Sequence, residues 1–425
     1  MDLDQSIRSF DEAERSYEQA MERHGLPFEA AESSPRSRRR SFADRPGCHC
    51  ENGGASIWRN WISPACLACR TGKETGSLFV DLRCTKSCYF CFNANQPHFE
   101  HFQTHRRDIV LELEQAQAAG AKYRCLAVTG GEPLLNEEEV TAFFRRAREL
   151  YPAAHTRLYT NGELLNDDNL KRLSDAGLRE IRFSVKPQDF DSGQERVFAA
   201  MEKAVATLPD VVIEMPVIPG SIDEMKGIMR RADAIGVRGM NLLELCFPLH
   251  NAEEFRRRGM KLRKHPFNFL YGYWYGGGIP VAESEKEALA LLEFADDMKL
   301  RLGIHYCSAD NRNSAQVSLQ NSPFENAEEV RRHYAWLALD EGDRFLKCTK
   351  AFGTDAERVR GWMEKNARAP YDYDGDESRI SFPLELAQKV REALPDAELG
   401  VSASLLEEHD GALLLREVGL ERIEA

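Results

Sequence analysis

No run of apolar residues in the 425-residue chain is long enough to cross a bilayer, which excludes a protein built on membrane-spanning helices. A basic excess is also missing. Lys and Arg number 56 against 69 Asp and Glu, a formal net charge of -13. Phosphate backbones are held by basic faces, so nucleic acid is not expected as the main partner. The one basic cluster, "RSRRRSF" (Arg36 to Phe42), looks like a twin-arginine export signal. The apolar h-region such a signal needs is absent from the "ADRPGCHC" that follows, so the cluster reads as a solvated, mobile segment. What is present is cysteine, eleven of them, clustered and odd in number. Without an export signal they indicate reduced thiols and metal rather than disulfides, and a cytoplasmic location. With 42% hydrophobic and 29% charged residues the composition is that of a globular chain of two or three domains.

Residues 3 to 24 suit a helix whose heavily charged face packs loosely, and residues 25 to 45, rich in Ser, Pro and Arg, read as linker. From Ser77 the chain becomes regular. "SLFVDL" is a strand, a cysteine loop follows, and "RRDIVLELEQAQAA" is a helix stopped at Gly120. Further strands end at Thr129, Thr160, Val185, Val217 and Leu245, spaced 31, 25, 32 and 28 residues apart with helical segments between them. Asn136, with Glu139 three residues on, and Asn166 are expected helix caps. Six βα units in a row predict a parallel sheet with helices outside, curled into a partial barrel. A helix over 283 to 299 and the strand "LGIHYC" (Leu302 to Cys307) extend it. The expected division is 1–76, an N-terminal helix, linker and cysteine-rich metal-binding extension; 77–312, a (β/α)6-type barrel of parallel strands; and 313–425, a small C-terminal α/β domain.

The loop after the first barrel strand, "CTKSCYFCF", spaces Cys84, Cys88 and Cys91 as C-x3-C-x2-C. Loops at the carboxyl ends of parallel strands are where such folds bind ligands. Three thiolates hold three corners of a four-iron cubane and leave the fourth iron for a small molecule. The alternative is half of a zinc site, completed by His98 or His101. At the end of the second strand, "VTGGEPLL" offers paired glycines, Gly130 and Gly131, for close backbone approach, and Glu132, a carboxylate able to hold an ammonium. Alone, such a string is more often a glycine turn opening a helix.

Taken together, the three cysteines, the aromatic Phe90 before the last of them, and Gly130-Gly131-Glu132-Pro133 resemble the radical S-adenosylmethionine (SAM) superfamily over about Ser77 to Phe247. "TNG" (Thr160 to Gly162) and the polar strand end "RFSVK" also fit. The resemblance implies a [4Fe-4S] cluster on Cys84, Cys88 and Cys91, whose open iron SAM chelates. Reductive cleavage to methionine and a 5′-deoxyadenosyl radical would follow, then hydrogen abstraction from a substrate. It further implies that Gly130, Gly131 and Glu132 hold the SAM amino group, that Phe90 lies near adenine, and that Ser184 and Lys186 contact ribose or carboxylate. Expected partners are an electron donor such as flavodoxin or ferredoxin, and a substrate that is a glycyl-radical enzyme or other protein, a peptide or a small metabolite. A non-catalytic iron–sulfur electron-transfer or metal-binding protein is the competing class, and Gly130 to Pro133 argues against it.

A second set, Cys48, Cys50, Cys66 and Cys69, spaced C-x-C-x15-C-x2-C, suggests a second metal centre of zinc, iron or an iron–sulfur cluster, with reduced surface thiols as the alternative. Cys125 reads as a core residue, Cys246 and Cys307 as strand-end residues that face a cavity or pack, Glu244 as a substrate contact or a solvated or paired carboxylate, and "YGYWYGGG" (Tyr271 to Gly278) as an aromatic loop or a lid.

Overall fold

The computed structural model describes residues 2–30, 39, 41–42, 45–186, 192–273 and 277–424. The chain forms two compact units. One comprises His24–Pro266 with Tyr275–Arg312, the other Met1–Arg23, Phe267–Trp274 and Asn313–Ala425. No helix among the described residues is long and apolar enough to cross a membrane.

The first unit is built on nine strands: β1 (Cys48–Glu51), β2 (Ser56–Arg59), β3 (Thr75–Phe79), β4 (Cys125–Thr129), β5 (His155–Thr160), β6 (Glu180–Phe183), β7 (Asp210–Val217), β8 (Gly239–Glu244) and, after a short pair β9 (Cys246–Phe247) and β10 (Ile279–Pro280), β11 (Gly303–Cys307). Their order in the large sheet is β1-β2-β11-β8-β7-β6-β5-β4-β3. Strands β3 to β8 each pair in parallel with their neighbour, and β11 continues the parallel run beside β8. β2 then runs antiparallel to β11, with β1 antiparallel to β2. This is a partial (β/α)6-type barrel, extended on one side by a parallel strand and an antiparallel hairpin.

Side chains alternate along each strand. Leu158, Ile181, Ile213, Met240 and Ile304, all 0–1% exposed, share one hydrophobic core with helical residues such as Val140 and Phe143. The opposite face is polar. Arg182 reaches Glu214, Glu214 accepts from Asn241 at 2.6 Å, and Asn241 meets His305 at 3.2 Å. Helix ends are set locally. Asp108 caps Ile109–Ala118 by accepting from the Leu111 amide, and Asn166 forms a reciprocal box with Asn169 at the start of Asp167–Ala176. Asn136 does not cap the helix Glu137–Leu150; its side chain is drawn to Asp81 and Arg83 instead.

Two expectations for the N-terminal region are corrected. Helix Leu3–Glu22 is docked rather than loose: Leu3, 2% exposed, clusters with Phe352 and Leu420 of its own unit. In the expected linker, Phe28 bridges to Leu262, Arg39 is buried with ion pairs to Glu285 and Asp310, and Phe42 enters the barrel core. A guanidinium matched by the buried Glu285 and the partly buried Asp310 is held, not solvated. Residues 31–38, 40 and 43–44 of that stretch lie outside the described residues.

The second unit carries an antiparallel sheet ordered β14-β15-β13-β16-β17, with β12 also on β13. These strands are β12 (Ala338–Leu339), β13 (Leu346–Phe352), β14 (Asp372–Asp374), β15 (Arg379–Phe382), β16 (Gly400–His409) and β17 (Ala412–Arg422). Helix Gly353–Asn366 packs on it through Ala356, Val359 and Met363. Of the aromatic loop, Tyr271 donates to Glu407 at 2.6 Å and Tyr273 to the Phe269 carbonyl at 2.9 Å, so its described part is anchored; residues 274–276 lie outside the description.

Candidate active site at the cysteine loop

Pairing of β3 stops at Phe79, and the chain peels away through a braced passage. The Val80 carbonyl accepts from the Arg107 amide, and the Leu82 amide donates to the Phe102 carbonyl. Asp81, 4% exposed, is the anchor: its carboxylate accepts from the Arg83 amide and guanidinium and from Asn136. Cys84, Cys88 and Cys91 follow on one loop, the first exposed and the others half-buried. The Cys91 amide closes a turn on the Cys88 carbonyl at 3.1 Å. These sulfurs do not all lie within 4.8 Å of one another, the spacing of a single-ion site. Each is nonetheless within electrostatic reach of the others. Burial pushes the Cys84 and Cys91 thiols up, the neighbouring thiols add to this, and the ammonium of Lys186 opposes it.

The glycine turn after β4 locks onto this loop. The Glu132 amide donates to the Arg83 carbonyl at 2.7 Å and the Gly131 amide to the Asp81 carbonyl at 3.3 Å. A Cβ on Gly131 would fall 1.7 Å from the Arg83 carbonyl oxygen, so only glycine fits there. Asn93 donates to the Gly130 carbonyl at 2.6 Å. Pro133 opens the short turn to Asn136. Glu132 is 1% exposed and accepts from the Leu134 amide (3.1 Å), the Thr160 hydroxyl (2.8 Å) and the Asn161 amide (2.8 Å). Burial pushes its carboxyl up, and these donors partly offset that. Asn161 in turn donates to Thr85 at 2.8 Å and reaches the Cys84 sulfur at 3.9 Å. Glu132 thus ties the end of β5 to the cysteine loop.

Of the other expected residues, Lys186 is 9% exposed. Ser184 follows β6, its amide on the Thr160 carbonyl, and Phe90 stands edge-to-face against Tyr89 at 5.0 Å. Two residues on the far side escape a reading of the sequence. His250 contacts the Cys91 carbonyl at 2.9 Å, and Asn251 donates to the Tyr89 carbonyl at 3.2 Å. The only local signal in that stretch is "LHN" just past the last barrel strand, where Leu249 and Asn251 take left-handed backbone angles. His98 and His101, the alternative zinc partners, form no metal-spaced group with the thiols among the described residues.

The second cysteine set does not assemble. Cys48 and Cys50 pair with Arg59 and Ile57 and pack against the helix-side core. The buried sulfur of Cys66 accepts from Arg182 and Asn241, each at 3.3 Å, and so meets the polar face. A two-residue strand period sends both β1 thiols to the other side of the sheet from Cys66, so this structure does not bring the four expected thiols together. Glu244 is buried, with one oxygen on Arg263 (2.6 Å) and the other on the Ala309 amide (2.8 Å). Cys246 accepts from Arg312 and Cys307 from Asn311, and Cys125 is a core residue, 5% exposed. One metal-spaced group exists among the described residues: His155, Glu180 and Asp210, at the amino ends of their strands. There Glu180 is already matched by Arg182, His155 and Ser63.

The family model described as the radical SAM superfamily matches residues 82–232, which contain both motifs. Over 287 residues the chain is 26% identical to a Methanocaldococcus jannaschii protein provisionally named a glycyl-radical enzyme activating enzyme, covering 66% of this chain and 71% of that one. Similar solved structures include Streptococcus suis SuiB bound to precursor peptide SuiA (14% identity, TM-score 0.43, 62% of this chain and 55% of that one). Another is coproporphyrinogen III oxidase (HemN) from Escherichia coli, a radical SAM enzyme (14% identity, TM-score 0.36, 76% of this chain and 75% of that one). The chain spans about half the length of the first solved structures it matches. Residues 82–232, which carry the three-cysteine loop and the glycine turn, match the radical SAM superfamily model, so the chain contains a radical SAM domain.

Proposed function

We propose that this chain reductively cleaves SAM at a [4Fe-4S] cluster held by Cys84, Cys88 and Cys91, and uses the product on a polypeptide substrate, with a glycyl-radical enzyme as the leading candidate. The observation that carries this reading is three thiols on one loop, braced by a turn in which only glycine fits. The donor set suits the cluster, since thiolates are the ligands such clusters take. When bound, the reduced cluster and SAM supply a 5′-deoxyadenosyl radical able to abstract hydrogen.

The chain's own residues hold and orient. Gly130 and Gly131 bring backbone close to the cysteine loop and leave room for the SAM amino group. Glu132 is a positioning residue in this reading: it fixes Thr160 and Asn161 against the loop, in place of the direct ammonium contact expected from the resemblance. Lys186 places a positive charge near the thiols and favours their ionised form. Phe90 offers a flat apolar face to adenine, and Ser184 a hydroxyl to ribose. His250 and Asn251 hold the far side of the loop through its carbonyls. A small reductant protein such as flavodoxin or ferredoxin would deliver the electron. The polypeptide assignment draws on the name of the Methanocaldococcus relative.

Anaerobically reconstituted protein with a strong reductant is expected to yield 5′-deoxyadenosine and methionine from SAM. Equal yield from the Cys84→Ala, Cys88→Ala, Cys91→Ala triple variant would overturn the proposal.

A further inference from the structure

On the polar face of the barrel sheet one arginine stands outside the ion pairs, because both neighbouring carboxylates are taken by Arg182. Arg182 is shared between Glu180 and Glu214, and His155 closes on Glu180 at 2.8 Å. Arg157, on β5 beside them, is 8% exposed, its Nε is buried without a partner, and among the described residues no carboxylate pairs with it. Its surroundings are the Tyr159 ring, with centroid 5.4 Å from its Cζ, and the thiols of Cys66 and Cys69 on helix Pro64–Cys69. Neither Tyr159 nor Cys66 supplies a negative charge. Burial pushes both the Tyr159 phenol and the Cys66 thiol above their ordinary values, so both are neutral near pH 7. A guanidinium cannot shed its proton to escape the problem. An uncompensated buried charge is strongly unfavourable, and the planar fork of arginine matches an oxyanion with two parallel hydrogen bonds.

We propose that Arg157 is a recognition point for an anionic group, a carboxylate or a phosphate, on the molecule this barrel works on. The inference rests on the radical SAM reading and names the chemical class of the substrate. The group enters along the polar face and is met by the Arg157 fork, with Tyr159 stacked beneath and Cys66 and Cys69 alongside.

The test compares wild type with Arg157→Met, which keeps length without charge, and with Arg157→Lys, which keeps charge without the fork. Thermal midpoints are measured in buffer free of oxyanions and after titration with inorganic phosphate, succinate or the neutral control succinamide. In oxyanion-free buffer Arg157→Met is expected to melt above wild type by about 2 °C or more, because an unmatched charge has been removed. Phosphate or succinate should raise the wild-type midpoint, Arg157→Lys less, and Arg157→Met no more than succinamide does. The stronger of the two anions identifies the source. An Arg157→Met protein that fails to fold or melts below wild type would show a structural partner and overturn the proposal. So would a wild type that responds to neither anion. Absence of SAM cleavage by wild type would instead remove the radical SAM reading, and the anion titrations would still decide this one.

Discussion

Replacing Glu132 by Gln separates a positioning role from a direct cofactor contact, because the two place the damage in different states of the protein. In the structure one carboxylate oxygen accepts from Leu134 and Thr160 and the other from Asn161. An amide keeps one acceptor oxygen, which can retain the first pair. Its NH2 then faces the Asn161 N–H, donor against donor, at a site 1% exposed. A hydrogen bond to a charged group contributes about 1.5–3 kcal/mol and a stranded buried donor costs about 1–3, so a loss of about 2.5–6 kcal/mol is expected. The variant should therefore lose stability with no SAM present, and the Asn161 amide should exchange with solvent faster. Measurement is by urea denaturation of the metal-free protein together with amide exchange. The sign with pH is also fixed. Burial raises the folded carboxyl, so the contribution of this group is greatest below its ordinary value and is lost as pH rises through the folded one. The gap between wild type and variant should narrow over that interval. Stabilities equal within about 0.5 kcal/mol, as for an exposed turn, with only SAM affinity reduced, would refute the positioning argument.

Gly131→Ala puts a carbon 1.7 Å from the Arg83 carbonyl oxygen, so the cysteine loop must shift, and iron loading on reconstitution should fall sharply; wild-type iron content would contradict the packing. Cys48→Ala with Cys66→Ala should leave zinc and iron content at wild-type levels, as elemental analysis can check, because these thiols meet opposite faces of the sheet. Burial alone would raise the Glu180 carboxyl, but Arg182, His155 and Ser63 overcome it and hold the group well below the ordinary range. Its contribution is complete above the usual carboxylate value and is lost as pH falls beneath that. Glu180→Gln should accordingly flatten the acid limb of the stability curve, and an unchanged acid limb would show the network contributes nothing.

Much of the barrel is legible because its strands are short stretches with buried apolar residues at alternate positions and turn residues after them. Strands do end at Thr129, Thr160 and Val217. The ends misjudged are those where pairing stops while the apolar pattern continues. Val80 to Leu82 leave the sheet to brace the cysteine loop, and Ser184 and Val185 lie past the last β6–β7 pair, Phe183 with Ile213. The hairpin β1–β2 was hidden by its own residues, since "CHCE" suggests metal ligands before it suggests a strand. In the site, the cysteines and glycines announce themselves by spacing. Asn93, Asn161, His250 and Asn251 act through contacts spanning 37 to 162 residues, which no local pattern encodes. The solitary charge on Arg157 is likewise invisible in one dimension, because it depends on which carboxylates the neighbouring strands bring to Arg182.

The hairpin has a practical consequence. β11 lies between β8 and β2, so its outer row of backbone donors and acceptors is saturated by residues 56–59. A chain trimmed to 77–312, the boundaries that composition suggests, would bare that row along a strand reading "GIHYC". It would also remove Trp61, whose backbone oxygen lies 2.5 Å from where a Cβ would stand on Gly303. Open edges recruit other strands, so the trimmed barrel should self-associate, whereas a version beginning before Cys48 should stay dispersed.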